Sequence, residues 1–85
     1  MERRKHYWNG RMGRLVREDI YVYEDGGTWW VEAREGGSEG NSRWYELPDA
    51  DRALDLTRDL ITASRMDGWK ELPVSPNSVP YRSPR

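Results

Sequence analysis

The stretch Asp25-Gly26-Gly27-Thr28 constrains the fold most, because it stands between two runs that both read as strands. From Arg14 to Glu24, Val16, Ile20 and Val22 alternate with Arg17, Asp19, Tyr21 and Tyr23, and Thr28-Trp29-Trp30-Val31-Glu32-Ala33-Arg34 is again rich in β-branched and aromatic residues. Asp-Gly between two such runs is a strong short-range hairpin signal. If the loop holds an even number of residues, Ile20, Val22, Trp29, Val31 and Ala33 share one face. Tyr21, Tyr23, Trp30, Glu32 and Arg34 then share the other.

After the loop Gly36-Gly37-Ser38-Glu39-Gly40-Asn41 comes a third predicted strand, Ser42 to Leu47, which Pro48 ends. Pointing Leu47 inward also turns Tyr45 inward and Trp44 outward. Asp49 is a good N-cap, and Asp51 adds negative charge where the helix dipole favours it. A helix is predicted from Ala50 to about Ser64. Its stripe of Ala50, Ala53, Leu54, Thr57, Leu60, Ile61 and Ser64 repeats at helical spacing and can lie across the sheet, with Leu54, Leu60 and Ile61 packed on Ile20, Val22, Trp29 and Val31. Gly68 reads as the helix stop, and Trp69 and Leu72 as a return over the core edge. The expected fold is α+β, a three-stranded antiparallel sheet with one helix on one face (βββα), spanning residues 14–72.

The ends differ in character from this domain. Residues 1–17 carry a net +5, residues 18–67 a net −8 and residues 68–85 a net +2, so the overall charge of −1 hides a basic segment on an acidic body. Residues 1–13 are expected to form a flexible basic arm. Residues 73–85 hold four of the five prolines and read as an extended Pro/Ser-rich tail. With 85 residues there is room for one small domain, and five Trp with five Tyr supply the core area that a chain without Phe otherwise lacks. No apolar run is long enough for a membrane span or a signal peptide, so the expected compartment is cytoplasmic, a reading that the absence of Cys fits.

The sequence resembles the arm-type DNA-binding domains of phage integrases and the plant ethylene-response-factor domains over about residues 18–65. The residues that carry the likeness are Gly27-Thr28-Trp29-Trp30-Val31-Glu32-Ala33-Arg34, Gly36-Gly37, Leu47-Pro48-Asp49 and Ala53. The resemblance implies three strands and a helix with the outer sheet face laid in a DNA major groove. That face would carry Asp19, Glu32 and Glu46 against Arg17 and Arg34, whereas a phosphate-contacting sheet should be basic.

No chemical motif points to catalysis. Gly36-Gly37-Ser38-Glu39-Gly40 matches the G-x-S-x-G elbow of serine hydrolases, but it sits in a predicted hairpin loop, and the only histidine, His6, lies upstream of it. Without Cys or a second His, no metal site, cofactor or small-molecule substrate is expected. Asp51, Asp55 and Asp59 line one helical face, which reads as a solvated surface or as a dock for a basic partner or for the chain's own basic arm. The informative group is aromatic. Tyr21, Tyr23, Trp30 and Trp44, with Arg34, are expected as an exposed patch on the sheet face away from the helix, covered either by Tyr7, Trp8 or Trp69 or by a partner.

Two functions follow. The first is a small non-catalytic module that binds a protein partner, or a second copy of itself, through Tyr21, Tyr23, Trp30, Trp44 and Arg34. The second is a nucleic-acid-binding accessory protein that uses Arg3, Arg4, Lys5, Tyr7, Trp8, Arg11 and Arg14, interleaved cations and rings that can meet phosphates and bases. The acidic body places protein binding first.

Overall fold

A computed structural model describes residues 1–10, 17–36, 40–64 and 68–74. Five strands and a helix follow in chain order: β1 (Glu2–Asn9), β2 (Glu18–Asp25), β3 (Thr28–Glu35), β4 (Asn41–Leu47), α1 (Ala50–Ala63) and β5 (Lys70–Leu72). The sheet is antiparallel, in the order β4-β3-β2-β1-β5, with α1 against one face. Over the described residues the fold is thus α+β with one helix, but the sheet has five strands rather than the expected three.

The central hairpin is as the sequence predicts. Asp25 pairs with Thr28 across Gly26 and Gly27, whose φ angles of 59° and 92° are the left-handed pair that a tight two-residue turn requires. That even loop sets Ile20 opposite Ala33, and Val22 opposite Val31, on the helix side. In β4, Tyr45 and Leu47 pack on the same side, as expected. Asp49 caps α1 by accepting from the Arg52 amide at 2.8 Å.

Two expectations fail for the same physical reason. Glu2-Arg3-Arg4-Lys5-His6-Tyr7-Trp8-Asn9 looks like a solvated arm because it lacks aliphatic alternation, yet it forms β1, and its basic residues meet acids of the body. The Met1 ammonium lies 3.8 Å from Asp25, Arg4 contacts Glu2 and Glu24, and Lys5 meets Glu71 of β5. The basic and acidic segments thus neutralise each other within the fold. A register shift between Arg3 and Lys5 leaves Arg4 as the extra residue of a bulge, and the three-residue β5 extends the sheet beyond β1. Arg11 and Arg14 lie outside the described residues, as do residues 75–85 of the expected tail.

The core under α1 consists of Ile20, Val22, Val31 and Ala53, with Tyr7, Trp29, Tyr45, Leu47, Leu56, Leu60, Ile61 and Trp69 packed around it. Each fully buried aliphatic contributes roughly 1.5–3 kcal/mol. The helix stripe is rotated from the predicted one. Ala53 is fully buried and Leu56 faces the core, while Leu54 is 37% exposed. Ala53 has only a methyl group, so α1 approaches the sheet closely there, and Thr57 returns its hydroxyl to the Ala53 carbonyl at 2.9 Å. The helix ends at Ala63, with the Ser64 amide bonded to Leu60 and Ile61 carbonyls; Gly68 lies beyond it and is not its stop.

Candidate functional site: the open face of the sheet

The face away from α1 is a grid set by the ladder register. Its first row is Arg3, Tyr23, Trp30 and Glu46; its second is His6, Tyr21, Glu32 and Trp44; its third is Trp8, Asp19, Arg34 and Ser42. No second layer of secondary structure covers this grid among the described residues. Nevertheless Tyr21 is only 8% exposed, and Tyr23, Asp19 and Glu32 only 2%.

Folded-down side chains account for this burial. The Arg3 guanidinium lies 4.5 Å from the Tyr21 ring centroid and 5.7 Å from that of Tyr23, and Arg34 lies 5.5 Å from the Tyr21 ring. Arg17 covers the Trp8 ring at 4.8 Å. Arginine stems shed water from apolar area while their planar heads are attracted to the ring faces. Beneath them runs an aromatic row, His6–Tyr21–Tyr23–Trp44, with centroid spacings of 4.3, 6.1 and 5.5 Å. Trp8 also folds over Gly10, where an added Cβ would fall 2.3 Å from the indole.

Two carboxylates anchor the covering layer. Glu32 accepts from the Tyr23 hydroxyl at 3.0 Å, from Arg34 Nη2 at 2.7 Å and Nε at 3.1 Å, and from the Ser42 hydroxyl at 2.7 Å. Asp19 is bonded to His6 Nε2 at 2.8 Å and accepts from Arg17 Nε and Nη2, each at 2.9 Å. Burial pushes the Asp19 carboxyl up, but the bonds from His6 and Arg17 outweigh it and hold the group below its ordinary value. Burial, reinforced by the Glu32 charge, pushes the Tyr23 phenol far up, so it stays a donor at neutral pH. Burial likewise raises Tyr21.

The expected patch of Tyr21, Tyr23, Trp30, Trp44 and Arg34 therefore does gather on one face, but not as a freely exposed one. Tyr21 and Tyr23 are buried floor, Arg34 is fixed to Glu32, and Trp30 and Trp44 are partly exposed. Of the expected coverers, Trp8 lies on this face, whereas Tyr7 and Trp69 pack on the helix side. Of the alternative nucleic-acid set, Arg3 is stacked on Tyr21, Arg4 and Lys5 are ion-paired, and Tyr7 is in the core. Asp19, Glu32, His6 and Ser42 stand outside both expected sets, and Arg3 was expected to meet nucleic acid rather than to cover the tyrosines. A signal was present: Arg17-x-Asp19 and Glu32-x-Arg34 each set an acid and a base two apart on one strand face.

Among the described residues the indole N–H groups of Trp8 and Trp30 and the Nε–H of Arg3 are buried without a hydrogen-bond partner, and all three belong to this face. A cavity of about 480 Å³ at the end of the sheet lies against Ile20, Ala33, Leu60 and Trp69, with Glu18 and Glu35 on its wall. Asp51, Asp55 and Asp59 are exposed on α1, and Arg58 pairs with Asp55. Among the described residues no group of three or more His, Asp or Glu could hold a metal ion, and no helix is long and apolar enough to cross a membrane. Comparison with protein-family models, with curated proteins and with solved structures finds no match, so this face has to be read from its own geometry.

Proposed function

We propose that the chain is a non-catalytic binding module that meets a protein partner through the open face of its sheet. The carrying observation is the pre-organised grid, in which Trp30, Trp44 and Arg17 are held at the surface by a buried floor of Tyr21, Tyr23, Asp19 and Glu32. Trp, Tyr and Arg dominate the energetics of protein interfaces, and side chains already fixed in place lose little entropy on binding. Electrostatics supports the same reading. Arg3, Arg17, Arg34 and Lys70 on this face stand against Asp19, Asp25, Glu32 and Glu46, so it lacks the excess positive charge that phosphates require. His6 is committed to Asp19 and both buried carboxylates are engaged by donors, which suits scaffolding rather than proton transfer.

The test is affinity capture from lysate with and without nuclease, comparing the natural chain with a Trp30→Ala/Arg17→Ala variant that is first shown to be folded by circular dichroism. The expected result is a nuclease-resistant protein partner retained by the natural chain and lost by the variant. Capture that nuclease abolishes, with a log–log salt slope on duplex DNA of about −4.5 as five phosphate contacts would give, would overturn the proposal in favour of nucleic-acid binding.

A further inference from the structure

One edge of the sheet carries a second surface, made of backbone groups rather than of the side chains that form the face just described. β4 is an edge strand of seven residues, and among the described residues nothing pairs with its outer side. Which of its backbone groups point outward follows from the ladder. The Gly36 amide donates to the Arg17 carbonyl at 2.7 Å, so by strict alternation Asp19–Arg34, Tyr21–Glu32 and Tyr23–Trp30 are the hydrogen-bonded pairs between β2 and β3. The backbone groups of Trp29, Val31, Ala33 and Glu35 then turn the other way, to Leu47, Tyr45, Arg43 and Asn41 of β4. The N–H and C=O groups of Ser42, Trp44 and Glu46 are left facing the free edge.

We propose that this edge pairs antiparallel with the β4 of a second copy of the chain, about a two-fold axis at Trp44, to make one continuous sheet. Three features of the strand favour its own copy as the occupant. Opposite residues of an antiparallel pair must share a face, so only even-numbered shifts of register are allowed, and the outward groups of Ser42, Trp44 and Glu46 satisfy that parity with themselves. With Trp44 opposite Trp44, the whole of Asn41–Leu47 is paired, through about six inter-chain backbone hydrogen bonds. That register also sets each Ser42 hydroxyl opposite a Glu46 carboxylate, and each Arg43 guanidinium opposite a Tyr45 ring.

Charge disfavours one neighbouring register, and loss of pairing the other. A shift by one allowed step in one direction sets Arg43 opposite Arg43. The opposite shift sets Trp44 opposite Glu46 and leaves Asn41 and Ser42 without partners. Like charges directly opposite each other are destabilising on a sheet, so the centred register wins. The aromatic row on the open face gives the same answer. From His6 on β1 the row passes through Tyr21 and Tyr23 of β2 to Trp44 at the edge, and in the paired sheet it runs on through the second Trp44 into its two-fold-related set.

Sedimentation equilibrium over about a hundredfold range of concentration tests the pairing. The natural chain should pass from monomer to dimer. Glu46→Pro removes an outward amide without touching the β3 ladder, and should weaken the dimer about tenfold or more. Trp44→Lys, which opposes two ammonium groups at the axis, should abolish it. Because the chain has no cysteine, register can be read directly. Trp44→Cys should form an inter-chain disulfide under mild oxidation, since Cα atoms of a hydrogen-bonded pair lie about 5.5 Å apart, whereas Glu46→Cys should not, because its own copy sits four residues away along the ladder. A chain that stays monomeric throughout, a dimer that survives Glu46→Pro, or equal crosslinking at both positions would overturn the proposal. Loss of the dimer in Glu46→Pro with retention of the partner captured by the open face would leave the preceding reading intact, whereas Trp44→Lys alters both surfaces.

Discussion

β2 is buried on both faces by opposite chemistries. On the helix side Ile20 and Val22 disappear under α1, among aliphatic and aromatic neighbours. On the open side Asp19, Tyr21 and Tyr23 are almost as well hidden, but under Arg17 and Arg34, tied down by carboxylates, and under Arg3, stacked on the tyrosine rings. The first face gains from removing apolar area from water and is indifferent to direction. The second gains only if each donor meets its acceptor, because a buried charge without its partner is costly. A single-layer sheet can thus enclose its outer face without a second layer, at the cost of making that face intolerant of single deletions.

The largest expected effect tests that intolerance. Glu32→Ala removes at once the carboxylate that accepts from Arg34, the Tyr23 hydroxyl and the Ser42 hydroxyl, and should destabilise the fold by about 3–5 kcal/mol in urea unfolding. Replacing the pair together, as Glu32→Met with Arg34→Leu, should restore part of that loss, since well-packed apolar residues can substitute for a buried pair while the Tyr23 hydroxyl still lacks its acceptor. If Glu32→Ala costs less than about 1 kcal/mol, the pair behaves as an exposed one and the two faces do not differ as argued.

Acid should then separate the two sides of β2. The folded-state value of Asp19 lies below its ordinary 3.8, so the stability that it contributes is present above that value and lost as pH falls through the lower folded one. Glu18, next in the chain but on the cavity side, has the opposite sign. Burial, and then the Glu35 charge directly across the ladder, raise it above its ordinary 4.5, so its contribution is present below that value and lost as pH rises through the folded one. Thermal unfolding followed from about pH 2 to about pH 8 should show Asp19→Asn flattening the acid limb, and Glu18→Gln raising the midpoint at neutral pH. An acid limb unchanged by Asp19→Asn would mean that the His6–Asp19–Arg17 contact does not hold in solution.

On the helix side a conservative trim should cost much less. Ile20→Val removes one methyl group from the core, for about 0.5–1.5 kcal/mol with no change in the pH profile. A loss comparable to that of Glu32→Ala would mean that the core under α1 is as unforgiving as the charged face.

How far the sequence revealed all this depends on what kind of force made each element. The hairpin, the inward Tyr45 and Leu47 and the Asp49 cap were legible because local rules decide them: turn chemistry, period two and side-chain capping. β1 was not, because nothing in Arg3-Arg4-Lys5-His6 marks a strand until Glu24, Asp19 and Glu71 are brought beside it. The charge imbalance along the chain was visible, but it was read as a free arm, with an outside partner or the acidic helix as its mate, when its partners are Glu24, Asp19 and Glu71 of the sheet. On the open face the aromatic residues were found and their exposure was not, since coverage by Arg3 depends on that same unrecognised strand.

The smallest expected effect concerns a helix position whose apolar type suggests core. Leu54 belongs to the stripe that the spacing selects, yet it is exposed, while Ala53 beside it is fully buried. Successive residues on a helix differ by about 100° in direction, so with Ala53 and Thr57 aimed at the sheet, Leu56 and Leu60 flank the contact on one side and Leu54 and Ile61 on the other. Of that second pair Ile61 still reaches the core, whereas Leu54, two turns nearer the N-terminus, is left at the margin beside Tyr7 and Lys5. Leu54→Ala should therefore change stability by no more than about 0.5 kcal/mol. Ala53→Leu, which forces a larger side chain into the closest approach of helix and sheet, should cost about 1–3 kcal/mol. Denaturant midpoints for the two variants measure the rotation of the helix directly: a greater loss at Leu54 than at Ala53 would return the stripe to the position that spacing alone selects.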